Sequence, residues 1–202
     1  MRQGWRVVAC VCLAIGVSSL GGVAVAARPS QTTPTPAGDW VHSVCGALVS
    51  WRGDVENAAT VAANASQKAR KLSGSAKAKQ AKQALGEFLG VAINATSIAE
   101  GNLRAVGGPP VTSSADVEDG LLASFDQLTT FFQSSRDRAQ AVSTKNAKQA
   151  DRKLSSIAEA MTTQSDEVQN LMNSAVAKDA SGELTAAIAA EPQCTDVPGG
   201  EA

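Results

Sequence analysis

From Asp39 to Ala190 apolar residues recur at alternating steps of three and four, the period of an α-helix, and strand-like alternation is almost absent. A chain patterned this way folds by laying helices against one another, so the breaks decide the architecture. "GGPP" at Gly107–Pro110 ends a helix firmly, because two glycines and two prolines cannot continue one. "SGS" at Ser73–Ser75 and the pair Ser143–Thr144 are softer breaks. A first helix then starts at Asp39, an effective N-cap, and carries Trp40, Val44, Leu48, Trp51, Val55 and a run of alanines to Leu72 on one stripe. A second carries Ala78, Leu85, Phe88, Ala92, Ala99 and Leu103. A third starts near Ser113, which with Asp116 resembles a capping box, and presents Val117, Leu121, Leu128, Phe131, Ser135 and Val142. A fourth presents Ala147, Leu154, Ile157, Met161, Val168 and Leu171. The segment Glu183–Ala190 then leads to Pro192 and Cys194.

Four helices of about 30 residues joined by short turns imply an all-α, antiparallel up-down four-helix bundle. Continuity through Ser143 would instead give three long helices. Ala78–Leu85 and Ala147–Leu154 share the pattern A-K-Q-A-x-x-x-L at a period of 69 residues, a hint of internal duplication.

The ends of the chain set its compartment. Arg2 and Arg6, the apolar run Val7–Val17 and the small residues Ala24–Ala27 read as a signal peptide over residues 1–27, with a retained membrane anchor as the alternative. Residues 28–38 are a Pro/Thr-rich tether, 39–194 the bundle, and 195–202 a tail expected to be disordered. Cys10 and Cys12 leave with the signal, so Cys45 and Cys194 remain as one pair in an exported, oxidising setting, and a disulfide is expected between them. Up-down topology brings the start of the first helix and the end of the fourth to one pole, where that bridge can form. Alanine stripes bury little area per residue, so the bundle should depend on the clamp. Trp40 and Trp51, three helical turns apart, read as large core layers beside it.

No catalytic constellation can be assembled. The mature chain has one histidine, His42, on the polar side of its helix, and both cysteines are taken. Glu118 and Asp166–Glu167 sit at helical spacings typical of a solvated face. No metal or cofactor is expected and the chain reads as a non-enzyme. Met161, Met172 and the phenylalanines leave one alternative, a ligand-binding or sensory bundle with a site between helices.

Charge is the informative feature. No acid occurs between Glu56 and Glu87, where Lys68, Arg70, Lys71, Lys77, Lys79 and Lys82 all fall. The second hairpin tip holds Arg136, Arg138, Lys145, Lys148, Arg152 and Lys153 against Asp137 and Asp151. Twelve basic residues against two acidic ones give the tips a net +10, while the rest of the mature chain, four basic against seventeen acidic, carries −13. Helix dipoles explain only part of this, since Lys77, Lys79, Lys82, Lys145 and Lys148 stand near helix starts, where cations are disfavoured. The reading is a secreted or envelope-associated module that meets an anionic polymer, a lipid headgroup or an acidic protein through its basic pole. Lysines that merely keep exposed turns soluble are the alternative. A nucleic-acid partner is not expected, because the pole lacks aromatics for stacking.

The pattern W-x4-C-x5-W at Trp40, Cys45 and Trp51, with the closing "AAIAAEPQC", resembles a group of uncharacterised actinobacterial secreted or lipoprotein-type Ala-rich helical proteins. The similarity covers both ends and the helical composition. It implies export and a helical fold and carries no activity, and the signal here departs from members with a lipid anchor.

Overall fold

The computed structural model describes residues 36–196, so the signal peptide, most of the tether and residues 197–202 lie outside the described residues. Within them are five α-helices and no strand: α1 (Pro36–Ala69), α2 (Gly74–Val106), α3 (Ser114–Gln140), α4 (Ala147–Val176) and α5 (Glu183–Ala190). A 3-10 turn, Pro192–Asp196, follows.

The helix ends follow local chemistry, with two corrections. α1 starts at Pro36, so Pro36–Gly38 belong to the helix and not to the tether. Proline suits a first turn because its missing N–H would have no partner there. Asp39 is therefore not an N-cap but an acid in the first turn, where it complements the helix dipole. The capping box expected at Ser113 does not form. The chain turns through Val111 N–H to the Pro109 carbonyl and Ser114 N–H to the Val111 carbonyl. That leaves Ser113 at φ −90°, ψ 24°, away from the extended geometry a capping side chain needs, and its Oγ is buried without a partner. At the soft break, Asn146 is extended and its side-chain oxygen accepts from the Gln149 N–H at 3.1 Å, starting α4 as a separate helix. The three-helix alternative is thereby excluded.

Cross-helix bonds set the pairing. Trp40 Nε1 donates to the Gly107 carbonyl at 2.7 Å, and Trp51 Nε1 donates to Thr96 Oγ1 at 3.1 Å. Eleven residues forward along α1 thus match eleven residues back along α2. Lys178 Nζ bonds the Asp116 carbonyl and Gln127 Nε2 bonds Glu167 Oε1, so α3 and the α4 arm run in opposed senses too. A Cβ at Gly120 would lie 2.8 Å from the Ala175 Cβ, which is why α3 can come so close to α4 there. α2 also packs on α3 and α4, whereas α1 and α4 approach each other far less; α5 returns instead onto α1.

The core has two parts. At one pole Trp40, Val41, Val44, Leu48, Val117, Leu121, Phe125 and Leu184 pack around the disulfide. Toward the other, Phe88, Leu89, Leu128, Phe132, Leu154 and Ile157 form the interior with small alanines between. Trp51 touches both parts and meets Phe125 edge-on at 5.7 Å. On α3 the buried aromatics are Phe125 and Phe132, with Phe131 half-buried beside Phe132.

Cys45 and Cys194 form the disulfide across a separation of 149 residues, and both are buried. Closing a loop of that length stabilises by up to roughly 5 kcal/mol in the chain-entropy description. Replacing both cysteines with serine should lower the unfolding free energy by up to about that amount. Urea denaturation of the two proteins measures it, and an unchanged midpoint would show that the core holds without the clamp.

Candidate functional site

The two basic tips meet. The Lys82 ammonium on α2 donates to the Gln140 carbonyl at 2.5 Å and the Val142 carbonyl at 3.0 Å, at the C-terminal end of α3. Beside this contact the first turns of α2 and α4 border a cleft of about 220 Å3, lined by Gly74, Lys77, Ala78, Ala81, Ala147, Lys148, Asp151 and Leu154. Both copies of the A-K-Q-A-x-x-x-L pattern open the helices that face each other here.

Of the basic residues of the two tips, Lys77 and Lys148 line the cleft; Lys68, Arg70, Lys71, Lys79, Arg138, Lys145, Lys148, Arg152 and Lys153 are exposed, while Lys77, Lys82 and Arg136 are half-buried. The Nε of Arg136 is enclosed with no hydrogen-bond partner. Lys68 and Arg138 lie in the last turns of α1 and α3, where cations complement the dipole. Neither α2 nor α4 has an acid in its first turn, and Ser73, the N-cap of α2, makes no side-chain cap. Lys77 and Lys148 therefore add positive charge to helix ends already positive. Lys82 is different. It sits in the third turn of α2, past the reach of that dipole, and its charge is set against free carbonyls of α3. Its role inside the fold could not be read from the sequence, because the two partners lie 58 and 60 residues away.

The opposite pole is built for attachment of the C-terminal segment. Asp179, 7% exposed, accepts from Ser181 N–H and Oγ through Oδ1 and from the Leu184 N–H through Oδ2. Ser181 Oγ also accepts from the Glu183 N–H, so two of the first amides of α5 are satisfied. The Leu184 N–H, then the Ser181 side chain, hold the Asp179 carboxyl below its ordinary value of 3.8. His42 is exposed, as its polar side predicts, and its Nδ1 lies 3.1 Å from Glu191 Oε2. The Gln193 N–H and then His42 hold Glu191 below its ordinary range, with burial opposing.

Among the described residues no group of three or more His, Cys, Asp or Glu could hold a metal, and no helix is long and apolar enough to cross a membrane. Comparison with protein-family models, curated proteins and solved structures gives no match.

Two outcomes follow from these contacts. Lys82→Met should destabilise the fold by about 1–2 kcal/mol, since the end of α3 loses a charged donor to its free carbonyls. Amide exchange should then quicken around residues 139–144, and unchanged protection would refute the capping role. Asp179 has a lowered pKa, so its contribution is present above about pH 4 and lost as the pH falls below that. Asp179→Asn should remove that part of the acid-induced loss of stability, which thermal melts from pH 7 to pH 2.5 would detect; parallel profiles for the two proteins would count against it.

Proposed function

We propose that this chain is an exported, non-catalytic bundle of four antiparallel long helices, α1 to α4, that attaches to an anionic surface of the cell envelope through its basic pole. The observation that carries this reading is the convergence of the tips. Lys82 joins α2 to the end of α3, and the cleft joins α2 to α4, so the basic residues of both turns act as one patch. Opposed registers in α1/α2 and α3/α4 support the bundle. The disulfide is compatible with an extracytoplasmic place of work.

A patch of this kind works by long-range attraction and counterion displacement, without a shaped pocket. Each lysine near an anionic surface is worth about 1 kcal/mol at low salt, and the attraction fades over about 8 Å at physiological ionic strength. The acids Asp116, Glu118, Glu183 and Glu191 gather at the other pole, so an anionic surface orients the rod with its basic end down.

The test uses exposed lysines that make none of the hydrogen bonds described above. The triple variant Lys79→Glu, Lys148→Glu, Lys153→Glu should weaken binding to vesicles of an anionic phospholipid or to purified envelopes by about 100-fold at low salt. Binding of the unaltered protein should fall steeply between low and high salt. Salt-insensitive binding, or full binding by the triple variant, would remove the reading.

A further inference from the structure

We propose that the Cys45–Cys194 bridge is a redox latch on a C-terminal strap: a dithiol reductant frees residues 183–194 from α1 while α1 to α4 stay assembled. The bridge does not join two long helices. It ties α1 to the 3-10 turn, and α5 and that turn pack on α1. The contacts that assemble the long helices are separate from it. Trp40 and Trp51 bond α1 to the α2 arm, Lys82 bonds α2 to the end of α3, and Gln127 bonds α3 to α4. With the bridge cut, both tryptophans still hold α1 on α2.

The strap's own hold is slight. From Glu183 to Cys194 the buried residues are Leu184 and Cys194, ten residues apart, with Ala187, Ile188 and Glu191 half-buried. α5 has eight residues, short of the length at which a helix persists by itself in water. It starts at Gly182, and its first amides are held from outside by Asp179 and Ser181. At the far end Glu191 meets the exposed His42, and Gln193 lies over Gly46, where a Cβ would come 3.4 Å from its Oε1. Leu184 is thus the one fully buried apolar anchor left once the bridge is cut. On α1, Val41 lies one turn before Cys45 on the same flank and is buried, while Val49, one turn after it, is 37% exposed. Lifting the strap uncovers that flank together with two thiols.

The chemistry is thiol–disulfide exchange. One thiolate of the reductant attacks the Sγ of either cysteine, breaks the S–S bond and forms a mixed disulfide. The reductant's second thiol then displaces the protein sulfur. Two electrons and two protons pass to the protein, which gains two thiols while the dithiol closes its own disulfide. Both cysteines are buried, so attack waits for the strap to lift. The latch stays shut in an oxidising compartment and opens where a dithiol is supplied. It does not rest on the envelope-binding reading.

Reduction with dithiothreitol, timed by maleimide capture of the new thiols and followed by hydrogen exchange, tests the latch. In the reduced protein, amides of residues 183–194 should exchange at the rate of an unstructured chain, while those of α1 to α4 remain protected. With the bridge intact, Leu184→Ala should speed reduction at least about 10-fold. Leu154→Ala, the same truncation toward the other pole, should leave the rate within about two-fold, both variants being confirmed as folded by circular dichroism. Equal acceleration by the two would mean that reduction follows global unfolding, and would overturn the proposal. So would loss of α1 to α4 on reduction, or residues 183–194 that stay protected in the reduced protein.

Discussion

The Cys45–Cys194 bridge is the constraint on which the rest of the architecture depends. α4 is seated against α2 and α3 and hardly touches α1, so α1 would be held mainly by α2. The C-terminal segment corrects this. The Asp179 turn starts α5, α5 buries Leu184 against the start of α1, and the disulfide fixes it there, with His42 and Glu191 as an outer contact. The largest side chains of α1, Trp40 and Trp51, stand on either side of Cys45 and pack in the core beside the disulfide. Elsewhere Phe88, Leu128, Phe132 and Leu154 pack with alanines between them.

That division leaves the other pole free for charge. No covalent link, large aromatic layer or buried acid is needed at the turns 70–73 and 141–146, and repulsion among the lysines there is tolerable because solvent screens it. Part of the charge is turned to structural use, with Lys82 closing the carbonyl end of α3. The molecule is thus a rod whose ends have different physics: one cross-linked around an apolar core and bordered by acids, one cationic and exposed. The proposed surface attachment draws on that polarity.

Much of the fold was legible in the sequence, because helical period and breaks are local properties. Trp40, Val44, Leu48, Leu121, Leu128, Leu154 and Ile157 are buried where the stripes put them, and "GGPP" falls between α2 and α3. Cysteine arithmetic gave the right pair. Phe125 falls on the same stripe, four residues after Leu121 and three before Leu128, so its burial has a local signal. Leu72 and Leu171, by contrast, are exposed, the first because α1 ends at Ala69. Other features had no local signal. Seating α4 against α2, Lys82 on the end of α3 and Asp179 under α5 are choices among distant partners or depend on the angle of a turn. The basic residues were visible as a cluster in sequence, but only the fold brings the two clusters together.

The claim that both basic tips share one pole is tested most directly by a distance. Spin labels on cysteines introduced at the exposed tip positions Lys71 and Lys145 would report it by pulsed electron resonance. The account predicts a separation under about 25 Å, since the two turns lie side by side. A separation near 50 Å, about the length of the 33-residue α2, would place the tips at opposite ends and contradict it.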